Sequence, residues 1–546
     1  MLSPPPPKRA KRLGAYYTPP DAARFMLRWA LRAPDEHILD PSFGGGVFLD
    51  AALKRGHPPT RVWGVEIDSQ VHGQVAAKLC AAYGLPKRQL VQADFFDVGP
   101  PDIQADVITG NPPFVRYQTF KGRARQKAQR RAAQQGVQVS GLASAWACFV
   151  VHACSLLKPG GRLAFVVPAE LGHAAYARPV LRHLTEQFAG LHLLSFRQPL
   201  FPNLSQDALI VLAEGKGAGP AELYLTDFDS VLELNDSGLA RLERSAPYAA
   251  EPLVNGRETL RRSFISKAAR RVYQRLEVRS VALGELASVG IGYVSGANRF
   301  FHLSPAKAQA LDLPPSQLRK SVFRGAGLRG LTFTEEDFRQ SGTTGYLFDV
   351  SDPDLKALPE TAQAYIAEGE KQGVDQGYKC RRRNPWYNVP GVSVPDAFLS
   401  YMSGRYPKLS VNMAQASAPN SLHLVHLNED AGLNPATLAL LWHSSFSLLS
   451  AELSGHALGG GMLKLEPNEA RRVRLAWPGD LTFTNKLVSE VDALLRNNRL
   501  AAAVGKVDEE VLVKRLGLNH NECALLKEAA AVLRERRSYR GKRGSL

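Results

Sequence analysis

Asn111, Pro112, Pro113 and Phe114 stand at the end of a largely apolar run, Ala105 to Ile108, and follow Thr109 and Gly110. An amide, two prolines and an aromatic ring in one turn suit methyl transfer to an amine attached to a flat ring. Such an amine is a poor nucleophile because its lone pair is drawn into the ring. The Asn111 side-chain oxygen and the Pro112 carbonyl can each accept one amine hydrogen. That holds the nitrogen near tetrahedral geometry and aims its lone pair, a contribution of orientation and electrostatics. Pro112 and Pro113 restrict the backbone torsions, so the carbonyl is aimed in advance. Phe114 offers a face for a stacked ring. Asn-Pro-Pro also occurs as a plain turn after a strand, so the motif needs context.

The elements upstream supply it. The run beginning at Ile38 predicts a strand that ends in Asp40 and a loop, Pro41-Ser42-Phe43-Gly44-Gly45-Gly46, before a helix starting at Val47. Gly44 and Gly46 let backbone pass close to a ligand, and the helix start brings N–H groups to it. Gly-x-Gly-x-x-Gly is absent, and an acid leads the loop, which suits a ligand carrying an ammonium group better than a pyrophosphate. The second predicted strand, residues 61–68, includes Glu66, placed to grip ribose hydroxyls. A third, residues 89–92, leads to Asp94 and Phe95, an acceptor for an adenine amine and a ring to stack on it. Phe95, Phe96 and Phe201, taken singly, read equally well as core. Pro19 and Pro20 suit the entry of a helix over residues 21–32, with Thr18 as its N-cap or as a hydroxyl for a carboxylate. All these groups fall at the carboxyl ends of predicted strands or at helix starts, where open α/β sheets bind ligands.

The chain has 546 residues, which predicts two or three domains, and its hydrophobic content of 45% provides for a buried core. A formal net charge of +17 points to a polyanionic partner. Lys121, Arg123, Arg125, Lys127, Arg130 and Arg131 follow the Asn-Pro-Pro-Phe turn with no acid among them, which favours phosphate contact over a solvated helix face. The five cysteines lack metal-site spacing and no histidine cluster accompanies them, so neither a metal centre nor a disulfide frame is expected. Free thiols fit a reducing cytoplasm. The N-terminus has no apolar secretory region, and no run long enough for a membrane span is present.

In this order of motifs the chain resembles the N6-adenine-specific DNA methyltransferases of restriction–modification systems, in the gamma-class arrangement where the donor motifs precede the catalytic turn. The resemblance covers roughly residues 14–215. It implies a Rossmann-like class I methyltransferase sheet, α/β in class, and S-adenosyl-L-methionine as cofactor. It implies that Thr18 and Asp40 hold the donor's methionine end, Glu66 its ribose, and Asp94 and Phe95 its adenine, with Gly44 and Gly46 also among the cofactor-binding residues. Asn111 and Pro112 orient the target amine, while Phe114 and Phe201 sandwich a flipped adenine of double-stranded DNA. Many relatives carry Tyr where this turn carries Phe114; both stack.

The second half is similar to target-recognition domains of the same family at residues 290–301, 379–387 and 458–464, though a structural turn explains each segment nearly as well. Arg299, Arg324, Arg381, Arg383 and Asn384 are candidate DNA contacts. The expected organisation is a basic arm over residues 1–13, a catalytic domain over 14–245, a mixed α+β target-recognition domain over 257–480, and a helical segment with a basic tail over 481–546. Residues 257–279 read as one basic amphipathic helix. The resemblance further implies a bacterial or archaeal, cytoplasmic, nucleoid-associated monomer. A cognate restriction endonuclease would act on the same site as a separate chain, because only 13 residues precede Gly14 and no nuclease triad is evident. The alternatives are an RNA or protein-glutamine N-methyltransferase, a solitary regulatory adenine methylase, and a DNA-binding protein on a decayed methylase scaffold.

Overall fold

The computed structural model describes residues 18–100, 102–115, 118–141, 143–201, 207–350, 354–458 and 461–539. The basic arm, Gly14 to Tyr17, residues 202–206 after Phe201, Gly459 and Gly460 of the 458–464 segment, and residues 540–546 of the tail lie outside them. The chain divides into two compact units, one running to Phe264 and the other from Ile265.

The first unit is built on nine strands: β1 (Ile38–Asp40), β2 (Val62–Glu66), β3 (Leu90–Gln92), β4 (Ala105–Gly110), β5 (Leu157–Pro168), β6 (Gly190–Phe196), β7 (Ala208–Glu214), β8 (Glu222–Phe228) and β9 (Pro247–Tyr248). Their order is β3-β2-β1-β4-β5-β7-β6-β8-β9. The strands from β3 to β5 are parallel, and β7 is antiparallel to both β5 and β6. The strand order turns back between β1 and β4, the crevice where open sheets of this kind bind ligands. Helices α1 (Pro20–Ala30), α2 (Val47–Lys54), α3 (Ser69–Tyr83), α4 (Gly122–Gln134), α5 (Ala145–Ser155) and α6 (Arg178–Gln187) accompany it.

Both faces of the sheet are covered, which is why β4, β6 and β7 are almost wholly buried instead of alternating. One core layer gathers Leu39, Ile108, Phe165 and the α5 residues Trp146 and Phe149; the other gathers Phe25 and Met26 of α1 with Ile38, Val107 and Val166. Asp68 caps α3 by accepting from the amides of Gln70 and Val71.

Three local expectations are corrected. The N-cap of α1 is Pro19, with no side-chain cap, so Thr18 stands one position outside it. Lys158-Pro159-Gly160-Gly161 does not merely end a helix but belongs to β5, where a register shift against β4 absorbs the turn-like residues. Residues 257–279 are not one helix. Leu260–Phe264 forms a 3-10 turn in the first unit, and Ser266 then caps a helix over Lys267–Glu277 by accepting from the Ala269 amide. The Tyr248 hydroxyl donates to Glu258 at 2.8 Å, which ties this segment to the first unit.

The second unit is mixed α+β. A five-stranded sheet runs in the order Ala287–Ile291, Leu422–Leu427, Ala397–Ser400, Leu409–Asn412, Thr332–Phe333; a three-stranded sheet joins His302–Leu303, Thr344–Phe348 and Leu318–Val322. The closing helices include Asn485–Arg496, Leu500–Asp508 and His520–Ser538. The last of these is no frayed tail along its described length. Arg537 is 0% exposed, pairs with Glu452 at 2.9 Å, and donates to the carbonyls of Gly404 and Arg405 at 2.6 and 2.9 Å.

Candidate active site

The loop after β1 is shaped by its own acids. Asp40 is 1% exposed; its Oδ1 accepts from the Ser42 amide at 3.1 Å, and its Oδ2 is buried without a hydrogen-bond partner among the described residues. Burial, opposed by the Ser42 amide and reinforced by the charge of Glu66, pushes the Asp40 carboxyl up to about 8. Gly44 and Gly46 have φ of +46° and +74°, and Gly46 caps α2; a side chain at either would be strained there.

Glu66, at the end of β2, reaches back to this loop. Its Oε2 accepts from the Gly44 amide at 3.0 Å and its Oε1 from the Asp68 amide at 2.8 Å. Burial raises its pKa, and these amides oppose the shift. Thr18 is 4% exposed, and its Oγ1 also lacks a partner among the described residues.

β4 brings Asn111 beside the same loop. The Ser42 hydroxyl donates to the Asn111 carbonyl at 3.3 Å. Gly110 is required by closeness: a Cβ there would stand 2.9 Å from Asp40 Oδ1. The Asn-Pro-Pro-Phe turn and the acid-led loop are therefore direct neighbours.

The structure separates other candidates from open ligand positions. Phe95 is buried among Phe149, His152 and Phe96, with ring centroids 4.5, 4.8 and 6.2 Å away, so it is core in this arrangement. Phe114 and Phe201 are 5% and 7% exposed and belong to one core cluster, so neither presents an open face; stacking on them requires that face to uncover.

The basic run forms α4, and its cations divide. Lys121, Arg123 and Arg130 are exposed. Lys127 instead pairs with Asp94 at 3.0 Å and Asp97 at 2.8 Å, and Arg131 donates to the Phe96 carbonyl at 2.8 Å, so these two are occupied within the protein. Arg125 is half-buried.

In the second unit Arg299, Arg324, Arg381 and Asn384 are exposed. Arg383 turns inward, donating to the carbonyls of Val294 and Ser295, which corrects its expected role as a DNA contact. The inward roles of Lys127, Arg131 and Arg383 depend on partners distant in sequence and have no local signal.

Comparison with known proteins decides the class. The family model described as N-6 DNA Methylase matches residues 2–175, and that described as the C-terminal domain of the type II methyltransferase M.Eco57I matches residues 257–512. The type II methyltransferase M.XamI of Xanthomonas campestris pv. amaranthicola is 25% identical over 480 residues, covering 86% of each chain. The chain belongs to the DNA methyltransferases of restriction–modification systems. The type II methyltransferase M.PaeR7I of Pseudomonas aeruginosa is 23% identical over 583 residues, covering 94% of this methyltransferase and 93% of that chain. Among solved structures, the DrdV–DNA complex shares the fold with a TM-score of 0.52 at 12% identity, covering 90% of this methyltransferase and 58% of that chain.

The methyl donor of this methyltransferase is S-adenosyl-L-methionine. The site fits it. The unpartnered Asp40 Oδ2 and Thr18 Oγ1 are buried polar atoms of the kind a bound ammonium and carboxylate satisfy, and the left-handed glycines keep the loop bare of side chains. Among the described residues no group of three or more His, Cys, Asp or Glu is placed to hold a metal ion, and no helix is long and apolar enough to cross a membrane.

Proposed function

We propose that this methyltransferase modifies N6 of an adenine flipped out of double-stranded DNA, as the protective partner of a restriction endonuclease acting on the same site as a separate chain. The observation that carries the reading is the approach of the Asn111–Phe114 turn to the Asp40 loop through Ser42 and Gly110. An amine held by the turn then lies beside the donor's methionine end.

When bound, S-adenosylmethionine supplies an electrophilic methyl group on a sulfonium. Asp40 and Thr18 take the donor's ammonium and carboxylate, and Glu66 takes its ribose hydroxyls. Asp94 accepts from its adenine amine. Asn111 Oδ1 and the Pro112 carbonyl accept the two hydrogens of the target amine and turn its lone pair outward. No strong base is needed at that nitrogen, because the amine becomes acidic as the new bond forms. Extruding the adenine costs a few kcal/mol, offset by stacking and phosphate contacts. Phe114 and Phe201 contribute the stacking once their faces uncover. Lys121, Arg123, Arg125 and Arg130 supply phosphate contacts beside the site, and the second unit contacts the target duplex, with Arg299, Arg324 and Asn384 as candidates for reading its sequence.

Asn111→Ala tests the assignment. The expected result is loss of methyl transfer to duplex DNA with donor binding within about twofold of the parent, since the amide acts on the target and not the donor. Retained turnover with weakened donor binding contradicts it.

A further inference from the structure

In the second unit, Tyr378 is 56% exposed and three cations crowd its ring. Arg382 Cζ lies 4.2 Å from the ring centroid, Arg381 Cζ 5.6 Å and Lys379 Nζ 5.9 Å. All three cations are exposed, and among the described residues none has an ion-pair partner. The segment beneath them is fixed. Cys380 is fully buried, Arg383 donates to the Val294 and Ser295 carbonyls, and a Cβ on Gly296 would meet the Lys379 Cβ at 2.7 Å. Three clustered, exposed charges on an anchored turn create a local positive potential that draws a polyanion to this surface. The ring holds a guanidinium by its face and leaves its N–H edge for phosphate oxygens.

We infer that Tyr378, Lys379, Arg381 and Arg382 form a knuckle that binds the phosphates of duplex DNA. The inference rests on DNA as the substrate and adds a named binding surface to it. Arg381→Ala/Arg382→Ala should weaken binding to a duplex of arbitrary sequence. It should also flatten the plot of log K against log salt concentration by about 1 for each phosphate no longer neutralised. Arg383→Lys, which cannot hold two carbonyls through a planar fork, should instead lower the melting temperature. An unchanged salt slope in a double variant that binds donor normally overturns the inference, as does a slope that flattens on single-stranded RNA alone. Failure of the parent chain to bind duplex DNA would count against the substrate assignment itself.

A second observation stands independently in the first unit. Asp94 Oδ1 accepts from the Phe96 amide at 3.1 Å and its Oδ2 from Lys127 at 3.0 Å. Helix α4 is held there by Arg131 on the Phe96 carbonyl, and its Ala128 and Ala132 are buried in the core that includes Phe95 and Phe96. Two bonds fix the plane of the carboxylate and leave lone pairs for a further donor. We propose that Lys127 is a positioning residue that aims Asp94 at the adenine amine of the methyl donor. This rests on the role proposed for Asp94.

Titration of S-adenosylmethionine into the variants tests it. Lys127→Ala should raise Kd by about two- to fivefold, the range of a partly exposed ion pair, and Lys127→Arg should restore it. A donor analogue with hydrogen in place of the adenine amine should bind parent and Lys127→Ala equally. An effect of the same size on that analogue reduces Lys127 to a structural prop and overturns the proposal, as does an unchanged Kd alongside a weakened Asp94→Asn. An Asp94→Asn variant with unchanged Kd overturns the Asp94 role instead.

Discussion

A Cβ on Gly110 would stand 2.9 Å from Oδ1 of Asp40, with the Phe165 ring and the Pro41 ring each 3.5 Å away. The strand carrying the Asn-Pro-Pro-Phe turn and the loop led by the acid thus touch with no space for a methyl group between them.

Gly110→Ala should therefore displace the Asp40 carboxylate. Overpacking at such a site costs about 1–3 kcal/mol. The expected outcome is a lower melting temperature together with donor binding weakened by more than the stability loss explains. Calorimetric titration of the folded variant checks it, and parental affinity for S-adenosylmethionine would show that the close approach is incidental.

The raised Asp40 carboxyl gives a pH dependence with a defined sign. Its folded value is about 8 against an ordinary 3.8. Between those values the folded apoprotein holds a proton that the unfolded chain has released, so this group lowers stability as pH rises through the window. A donor ammonium beside Asp40 favours the carboxylate, so donor binding releases that proton below about pH 8. Affinity should rise from about pH 6 toward that value and then level off. Asp40→Asn should bind weakly and flatten the profile; a flat profile in the parent contradicts the placement of the ammonium.

Arg537 and Glu452 are a buried pair in the second unit, 0% and 1% exposed at their side chains. Removing Arg537 takes the 2.9 Å guanidinium contact away from a buried carboxylate, for which Arg534, its Nε at 3.8 Å, is a more distant cation. Breaking such a pair costs about 3–5 kcal/mol. Arg537→Ala should show that loss in denaturant unfolding, and adding Glu452→Gln should recover part of it. A loss under about 1 kcal/mol, the range of an exposed pair, would mean the last helix is not anchored through this one.

What the sequence made legible was local. Asp40, Glu66, Asp94 and Asn111 follow short apolar runs, and a parallel sheet must place such strand ends along one edge, so their common neighbourhood could be read from spacing alone. Gly44 and Gly46 were legible for the same reason. Long-range pairings were not. Lys127 and Asp94 are 33 residues apart, and Arg537 and Glu452 are 85 apart. A basic run looks the same in sequence whether its cations meet solvent, phosphate or buried carbonyls, which is why Lys127, Arg131 and Arg383 are indistinguishable there from the exposed arginines. The burial of Phe95, Phe114 and Phe201 likewise depends on packing from α5, α1 and β7, elements whose arrangement no local pattern reveals. The single helix expected over residues 257–279 is broken because Ser266 starts a new helix by capping it.

If Asn111 directs a methyl group to N6 of adenine in duplex DNA, the labelled product must depend on its amide. The direct measurement is incubation of duplex DNA, RNA and protein with methyl-labelled S-adenosylmethionine, followed by digestion and separation of the labelled products. Label is expected in N6-methyldeoxyadenosine from duplex DNA with the parent chain, and none with Asn111→Ala. Label in a cytosine, in RNA or in a protein side chain, or undiminished label with Asn111→Ala, would contradict it.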